Sequence, residues 1–309
     1  MVPPERLKLR VMGYTAFRAL TTLGSVRPTR ESNAMRRQAA LRLHPALTAM
    51  LNGLGDTEFG DEFRQNAVTL STQLLTQPRP DPGQALVPHR WMLERASGDG
   101  LPLTAAGYLK PVDARELAEL LPEMRDYPWA GTREIDAHPV LAFREYLRDI
   151  KLVRRYKGTL RLTPLGRECL ADPERLWRHC AETLIGDPET FGGHCSVTLA
   201  VYAGTADRTI RPQRIARVVS AHGWRHSGGE PIGDRDVYPV WNELWARLSA
   251  VGTPDPEAGR GEFLPRIPSA AARALIRDAL FEVVPDPDVD PDEAEAGAAF
   301  RRGAYRPIR

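Results

Sequence analysis

Between Val140 and Ile185 the chain reads as helix, β-hairpin, helix, and this order limits the available folds more than any other feature. After Pro139, the side chains of Val140, Phe143, Leu147 and Ile150 fall on one helical face. Lys151-Leu-Val-Arg-Arg-Tyr-Lys-Gly-Thr-Leu-Arg-Leu then supplies two short strands that turn near Lys157-Gly158. Thr163-Pro164 offers a helix cap followed by a proline at the first helical position. Asp172-Pro173 repeats the device before a helix from Leu176 to Ile185. Upstream, Asp113-Ala-Arg-Glu116 has the pattern of a capping box opening a helix through Leu121. Helix, hairpin, helix is the closing half of a winged-helix unit.

The order recurs downstream. Trp241, Leu244, Leu248 and Val251 repeat the three, four, three spacing of Val140 to Ile150, 101 residues later. A longer wing loop from Thr253 to Gly261 leads to Glu262-Phe-Leu-Pro-Arg-Ile, and Ser269 caps an Ala-rich helix to Phe281. Helices around Ser196–Ala203 and Pro212–Ala221 complete this second set. The expected fold is therefore mainly α, with tandem winged-helix-like units and short β-hairpin wings. Four regions follow: a helical N-terminal region (1–84), a first unit (85–186), a second unit (187–282) and a flexible tail (283–309).

Within the first region, Ala40, Leu43, Leu47 and Leu51 have helical spacing over Arg30–Leu51, with Pro45 expected to kink or divide the helix. Phe59, Phe63, Ala67, Leu70 and Leu74 form a cleaner stripe that stops at Pro78. Alternating prolines from Pro78 to Gly83 read as a linker or exposed loop. From Val283 onward, alternating Pro and Asp cannot bury a core and read as tail.

Three cysteines (Cys169, Cys180, Cys195) provide no disulfide framework and favour a reducing compartment. The best apolar run, Val197–Ala203, is far too short for a membrane span. Cytoplasm without membrane association is the expected setting. The net charge of +2 conceals strong segregation. Nine basic residues against two acids occupy positions 1–42, a second basic excess spans Lys151–Arg178, and seven acids without a base lie between Glu282 and Glu295. Segregated charge permits an anionic partner even when the sum is small.

Leu103-Thr-Ala-Ala-Gly-Tyr-Leu, Pro111 and Arg115-Glu-Leu117 carry a family resemblance. Lys157-Gly-Thr-Leu-Arg-Leu-Thr-Pro-Leu-Gly-Arg, Ala171-Asp-Pro and Leu176-Trp-Arg-His179 extend it. Over roughly residues 85–280 the chain resembles the C-terminal helical region of plasmid- and insertion-element passenger proteins of GC-rich bacteria (TnpR-like, pRi-plasmid open-reading-frame type). The resemblance rests chiefly on two Leu-Thr-x-x-Gly elements and implies architecture, because the family brings no assigned chemistry. Residues 1–85 do not show the small β-rich domain that often precedes this region in the family.

No nucleophile elbow, Walker loop or dinucleotide-binding glycine pattern occurs, so a non-enzymatic role without a cofactor is expected. His179-Cys180 and His194-Cys195 carry zinc-type donors. Adjacent helical residues point about 100° apart, however, so these are read as structural. His222, Trp224, His226, Ser227 and Asp234 contain triad residue types without triad spacing. The strongest binding feature is the basic first wing, formed by Arg144, Arg148, Lys151, Arg154, Arg155, Lys157 and Arg161 with Tyr156 among them. A cationic wing can meet phosphates while a preceding helix enters a major groove, which makes duplex DNA the first expected partner. The alternative is a protein-interaction scaffold or homo-oligomer, with Trp241 and Trp245 extending an apolar stripe into an interface.

Overall fold

The computed structural model describes residues 39–125, 133–252 and 267–285. Among them are twelve α-helices and two small antiparallel sheets. The first element is β1 (Ala39–Leu43), followed by α1 (Pro45–Leu54). The Arg30–Leu51 helix is thus corrected, since Ala40 and Leu43 lie in a strand and helix begins only at Pro45. Proline at the first helical position disfavours helix for the residue before it. His44 accordingly leaves the helical region and caps α1, its Nδ1 accepting from the Ala46 N–H at 3.2 Å. In α2 (Glu58–Thr76) the expected stripe buries Phe63, Ala67 and Leu70, and the Thr57 hydroxyl caps the helix through the Gly60 N–H. The proline-rich loop then ends in the single turn α3 (Pro82–Ala85), capped by Asp81.

The segment from residue 87 to 182 contains α4 (Val87–Arg95), β2 (Leu101–Pro102), α5 (Pro111–Leu120) and α6 (His138–Asp149). The hairpin β3 (Val153–Tyr156) and β4 (Thr159–Leu162) follows, then α7 (Pro164–Ala171) and α8 (Pro173–Glu182). Strand order is β2-β4-β3, so β2 adds to the free edge of β4. Local signals placed most of these boundaries. The Thr163 hydroxyl accepts from Gly166 N–H, and the Asp172 carboxylate accepts from the N–H groups of Glu174 and Arg175. The Asp113/Glu116 capping box is not used. Pro111 starts α5 earlier, and buried Asp113 instead pairs with Arg95 on α4.

The two Leu-Thr-x-x-Gly elements fold differently. At Leu162–Gly166 the strand passes into a capped helix, whereas Thr104–Gly107 closes a tight turn in which Gly107 N–H donates to Thr104 C=O. Pro164 biases the second copy toward helix, and Gly107 at φ +86° supplies the left-handed residue required by the first. Gly166 also permits close packing, because a Cβ there would stand 2.0 Å from the Leu152 carbonyl oxygen.

Next come α9 (Phe191–Thr205), α10 (Pro212–His222), α11 (Asp234–Ser249), α12 (Ala270–Leu280) and β5 (Phe281–Pro285). Every residue from Gly193 to Gly204 is buried, because α1, α2, α10, α11 and α12 surround α9. The Val197–Ala203 run is therefore a core helix, and no described helix is long and apolar enough to cross a membrane. Trp241, Leu244, Leu248 and Val251 are all buried as their spacing predicts. Trp245 is buried against Trp241 as well, which corrects its expected place in an exposed interface. β5 pairs antiparallel with β1 from Ala39↔Pro285 to Leu43↔Phe281, so the stretch from Val283 expected to begin a tail begins as strand. The expected second wing, including Glu262 to Arg266, lies outside the described residues.

One continuous core joins both halves. α8 packs on α12, where buried Trp177 donates its indole N–H to Asp278 at 2.7 Å, and α6 packs on α11.

Candidate nucleic-acid interface

The hairpin turns on Lys157 (φ 45°) and Gly158 (φ 75°), both left-handed, the geometry that matches the twist of paired strands. Cross-strand register pairs Val153 with Leu162 and Arg155 with Leu160, placing these residues on one face of the sheet. Val153, Leu160 and Leu162 are buried there. The opposite face consequently carries Arg154, Tyr156, Thr159 and Arg161. Arg155 lies beyond the core edge, with its guanidinium over Gly107, where a Cβ would stand 2.2 Å from Nη1. The glycine leaves room for that arginine.

The seven basic residues expected at the interface do not act alike. Arg144 is a correction. It is buried and ion-paired with Glu134 and Glu145, out of reach of any external anion. Arg148 is exposed, but its guanidinium pairs with Glu145 and lies 3.8 Å from Asp149. Lys151, Arg154, Arg155 and Lys157 are exposed and Arg161 is half-buried. Among the described residues no carboxylate comes within ion-pair distance of these five. Their charges are available.

Tyr156 collects three of them. The cationic groups of Lys157, Arg154 and Arg161 lie 5.4, 5.6 and 5.7 Å from its ring centre, within cation–π range. Arg161 is steadied by donating to the Thr159 hydroxyl at 3.2 Å, while that hydroxyl donates to the Tyr156 carbonyl.

The preceding helix is differently placed. In α6, Pro139, Val140, Phe143, Arg144, Tyr146 and Leu147 are buried, and only His138, Arg148 and Asp149 are exposed. Tyr146 faces Arg247 of α11 at 5.3 Å and His89 of α4 at 5.9 Å between ring centres. The outward face of α6 (His138, Leu141, Ala142, Glu145, Arg148 and Asp149) carries two carboxylates beside the guanidinium of Arg148, a charge pattern that does not favour approach to a phosphate-lined major groove.

Among the described residues no set of three His, Cys, Asp or Glu side chains could hold a metal ion. His179 bonds the Ile150 carbonyl at 2.7 Å. Burial pushes the Cys180 and Cys195 thiols up to about 12, far from the thiolate a metal or a nucleophile requires. His194 accepts the Trp224 indole N–H at 2.8 Å and lies edge-on to His222. Burial, then the adjacent His222, lowers its proton affinity. The triad-type residues do not converge. His222 meets the Ala49 carbonyl, His226 pairs with Asp236 at 3.0 Å, and Asp234 accepts from Gln213.

Sequence reasoning missed Glu134, whose buried carboxylate removes Arg144 from the surface. No local signal marks it, since the pair forms only when the chain folds back across ten residues. The inward and outward halves of the hairpin, by contrast, follow from register once the turn is placed. The chain was compared with protein-family models, curated proteins and solved structures, and it matches none of them.

Lys157→Asn removes a tip charge while suiting the left-handed turn position better. We expect thermal unfolding to show stability unchanged or raised by about 0.5–1 kcal/mol. A loss of stability would show that Lys157 supports the hairpin through its packing on Tyr156.

Proposed function

We propose that this chain is a non-enzymatic binding module and that its segment 87–162 is a winged helix meeting nucleic-acid phosphates through the hairpin. Helix, strand, two helices and a hairpin with strand order β2-β4-β3 support the winged-helix assignment. The observation that carries the function is clustered charge without internal partners: Lys151, Arg154, Arg155, Lys157 and Arg161 lie together on one projecting hairpin with no carboxylate in ion-pair distance among the described residues, whereas Arg144 and Arg148 of the preceding helix are paired with Glu134 and Glu145. Unpaired cations held on a rigid hairpin release counterions when they replace them at a phosphate backbone. Because the outward face of α6 carries Glu145 and Asp149 and its Arg148 is already paired, contact falls to the wing and the binding follows backbone charge more than duplex base sequence.

The test is fluorescence anisotropy with a labelled DNA duplex over a salt series, comparing wild type with Arg154→Ala/Arg155→Ala. Wild-type affinity should fall as salt rises, and the double variant should flatten the log–log slope by about 1.8, two phosphate contacts at about 0.9 each. No wild-type binding at low salt, to this duplex or to its separated strands, would remove the reading. An unchanged slope would move the contact off the wing.

The packing of α6 on α11 favours a second reading, in which the unit is a structural element of a protein-interaction scaffold. That reading expects a stable oligomer in light scattering that is indifferent to the wing arginines.

A further inference from the structure

We propose that Tyr156 is a stacking platform for an unpaired base, so that the wing selects single strands and strand ends over continuous duplex. This rests on the wing being a nucleic-acid interface and specifies its ligand.

Tyr156 occupies the last position of β3, beside the turn, and is 43% exposed. Most of the described aromatic side chains are buried or half-buried; of the exposed pair, Tyr238 lies against Trp241 on α11, whereas Tyr156 stands at the end of a projecting hairpin. Its surroundings are not those of a stray surface aromatic. Arg154 two residues before it and Arg161 across the strand pair share its outward face, and Lys157 follows it in the turn. All three place positive charge within 5.7 Å of the ring centre, and none has a carboxylate within ion-pair distance among the described residues. The ring draws the cations around itself, and the cations hold the ring at the tip.

The chemistry fits a nucleotide whose base is free. In an intact duplex the base faces are already stacked on one another, and a tyrosine ring can reach only their edges. In a single strand or at a frayed end a face is open. An aromatic ring can then stack on that face whatever the base, while flanking cations take the adjacent phosphates. The charge of α6 points the same way, since Glu145 and Asp149 on its outward face oppose its entry into an intact major groove.

The experiment measures anisotropy of three labelled probes at fixed low salt. The first is an oligo-dT of about 12 bases, within the span of known single-strand sites. The second is a duplex of similar length with both ends closed by hexaethylene-glycol linkers, leaving no unpaired base. The third is the same duplex with one end opened into a 3′ single-stranded overhang. Wild type should bind the single strand and the overhang more tightly than the closed duplex. Tyr156→Ala should weaken single-strand binding roughly tenfold and closed-duplex binding less than twofold, and Tyr156→Phe should bind as wild type. Equal wild-type affinity for the single strand and the closed duplex would overturn the stacking proposal while leaving the phosphate-binding wing in place. Unchanged single-strand affinity in a folded Tyr156→Ala variant would do the same. Absence of binding to all three probes would overturn both.

Discussion

Replacing Glu134 with alanine is expected to destabilise the protein by about 3–5 kcal/mol, measured as a lowered urea midpoint with unchanged slope. Glu134 is fully buried, where its carboxylate accepts the Leu109 N–H and pairs with the guanidinium of Arg144, itself 4% exposed. Truncation orphans one backbone donor and leaves a buried cation with Glu145 as its remaining partner. The penalty comes from the orphaned amide and from a buried cation left with one carboxylate instead of two, more than from the intrinsic worth of the pair. The double replacement Glu134→Met/Arg144→Leu removes both charges and should recover most of the loss. A single variant within about 1 kcal/mol of wild type would show that water or a neighbouring side chain reaches Arg144.

Acidification should produce an effect of similar size through His89. The ring is fully buried between α4 and α6, edge-on to Phe143 at 4.9 Å, and neither ring nitrogen has a hydrogen-bond partner among the described residues. Burial lowers its pKa from 6.5 to about 3. The unfolded chain therefore takes up a proton that the folded chain refuses. Stability is complete above the unfolded pKa of 6.5 and is lost as pH falls toward 3. At about 1.36 kcal/mol for each tenfold change in proton affinity, the full loss is about 5 kcal/mol, of which about 3 is reached by pH 4.5. His44 and His194, also lowered chiefly by burial, act in the same direction. His89→Leu should match wild type within about 1 kcal/mol at pH 7 and lose less stability on acidification. Denaturation at pH 7 and pH 4.5 checks this, and parallel losses in both proteins would refute it.

What could be read before the fold was known was local. Thr163 and Asp172 cap helices because a short side chain followed by proline leaves few alternatives. Val140, Phe143 and Leu147 point inward because helical spacing assigns them one face, and Lys157-Gly158 turns because glycine tolerates a left-handed position. The misreadings arose where a nearer or stronger partner won. Asp113 met Arg95 instead of capping its helix, and Ala40 and Leu43 joined a strand whose partner, Phe281–Pro285, lies some 240 residues away.

The candidate interface divides in the same manner. The basic hairpin, its aromatic and its turn belong to the sequence itself, since they lie within a dozen consecutive residues whose geometry depends on backbone pairing and on little else. Which of the seven cations remain available was decided by the tertiary structure. Burial of Arg144 needed Glu134, and the inward face of α6 is covered by α4 and α11, none of which the local pattern names. A charge is free or spent according to what lies within a few ångströms of it. That neighbourhood is assembled from distant parts of the chain only when the core closes.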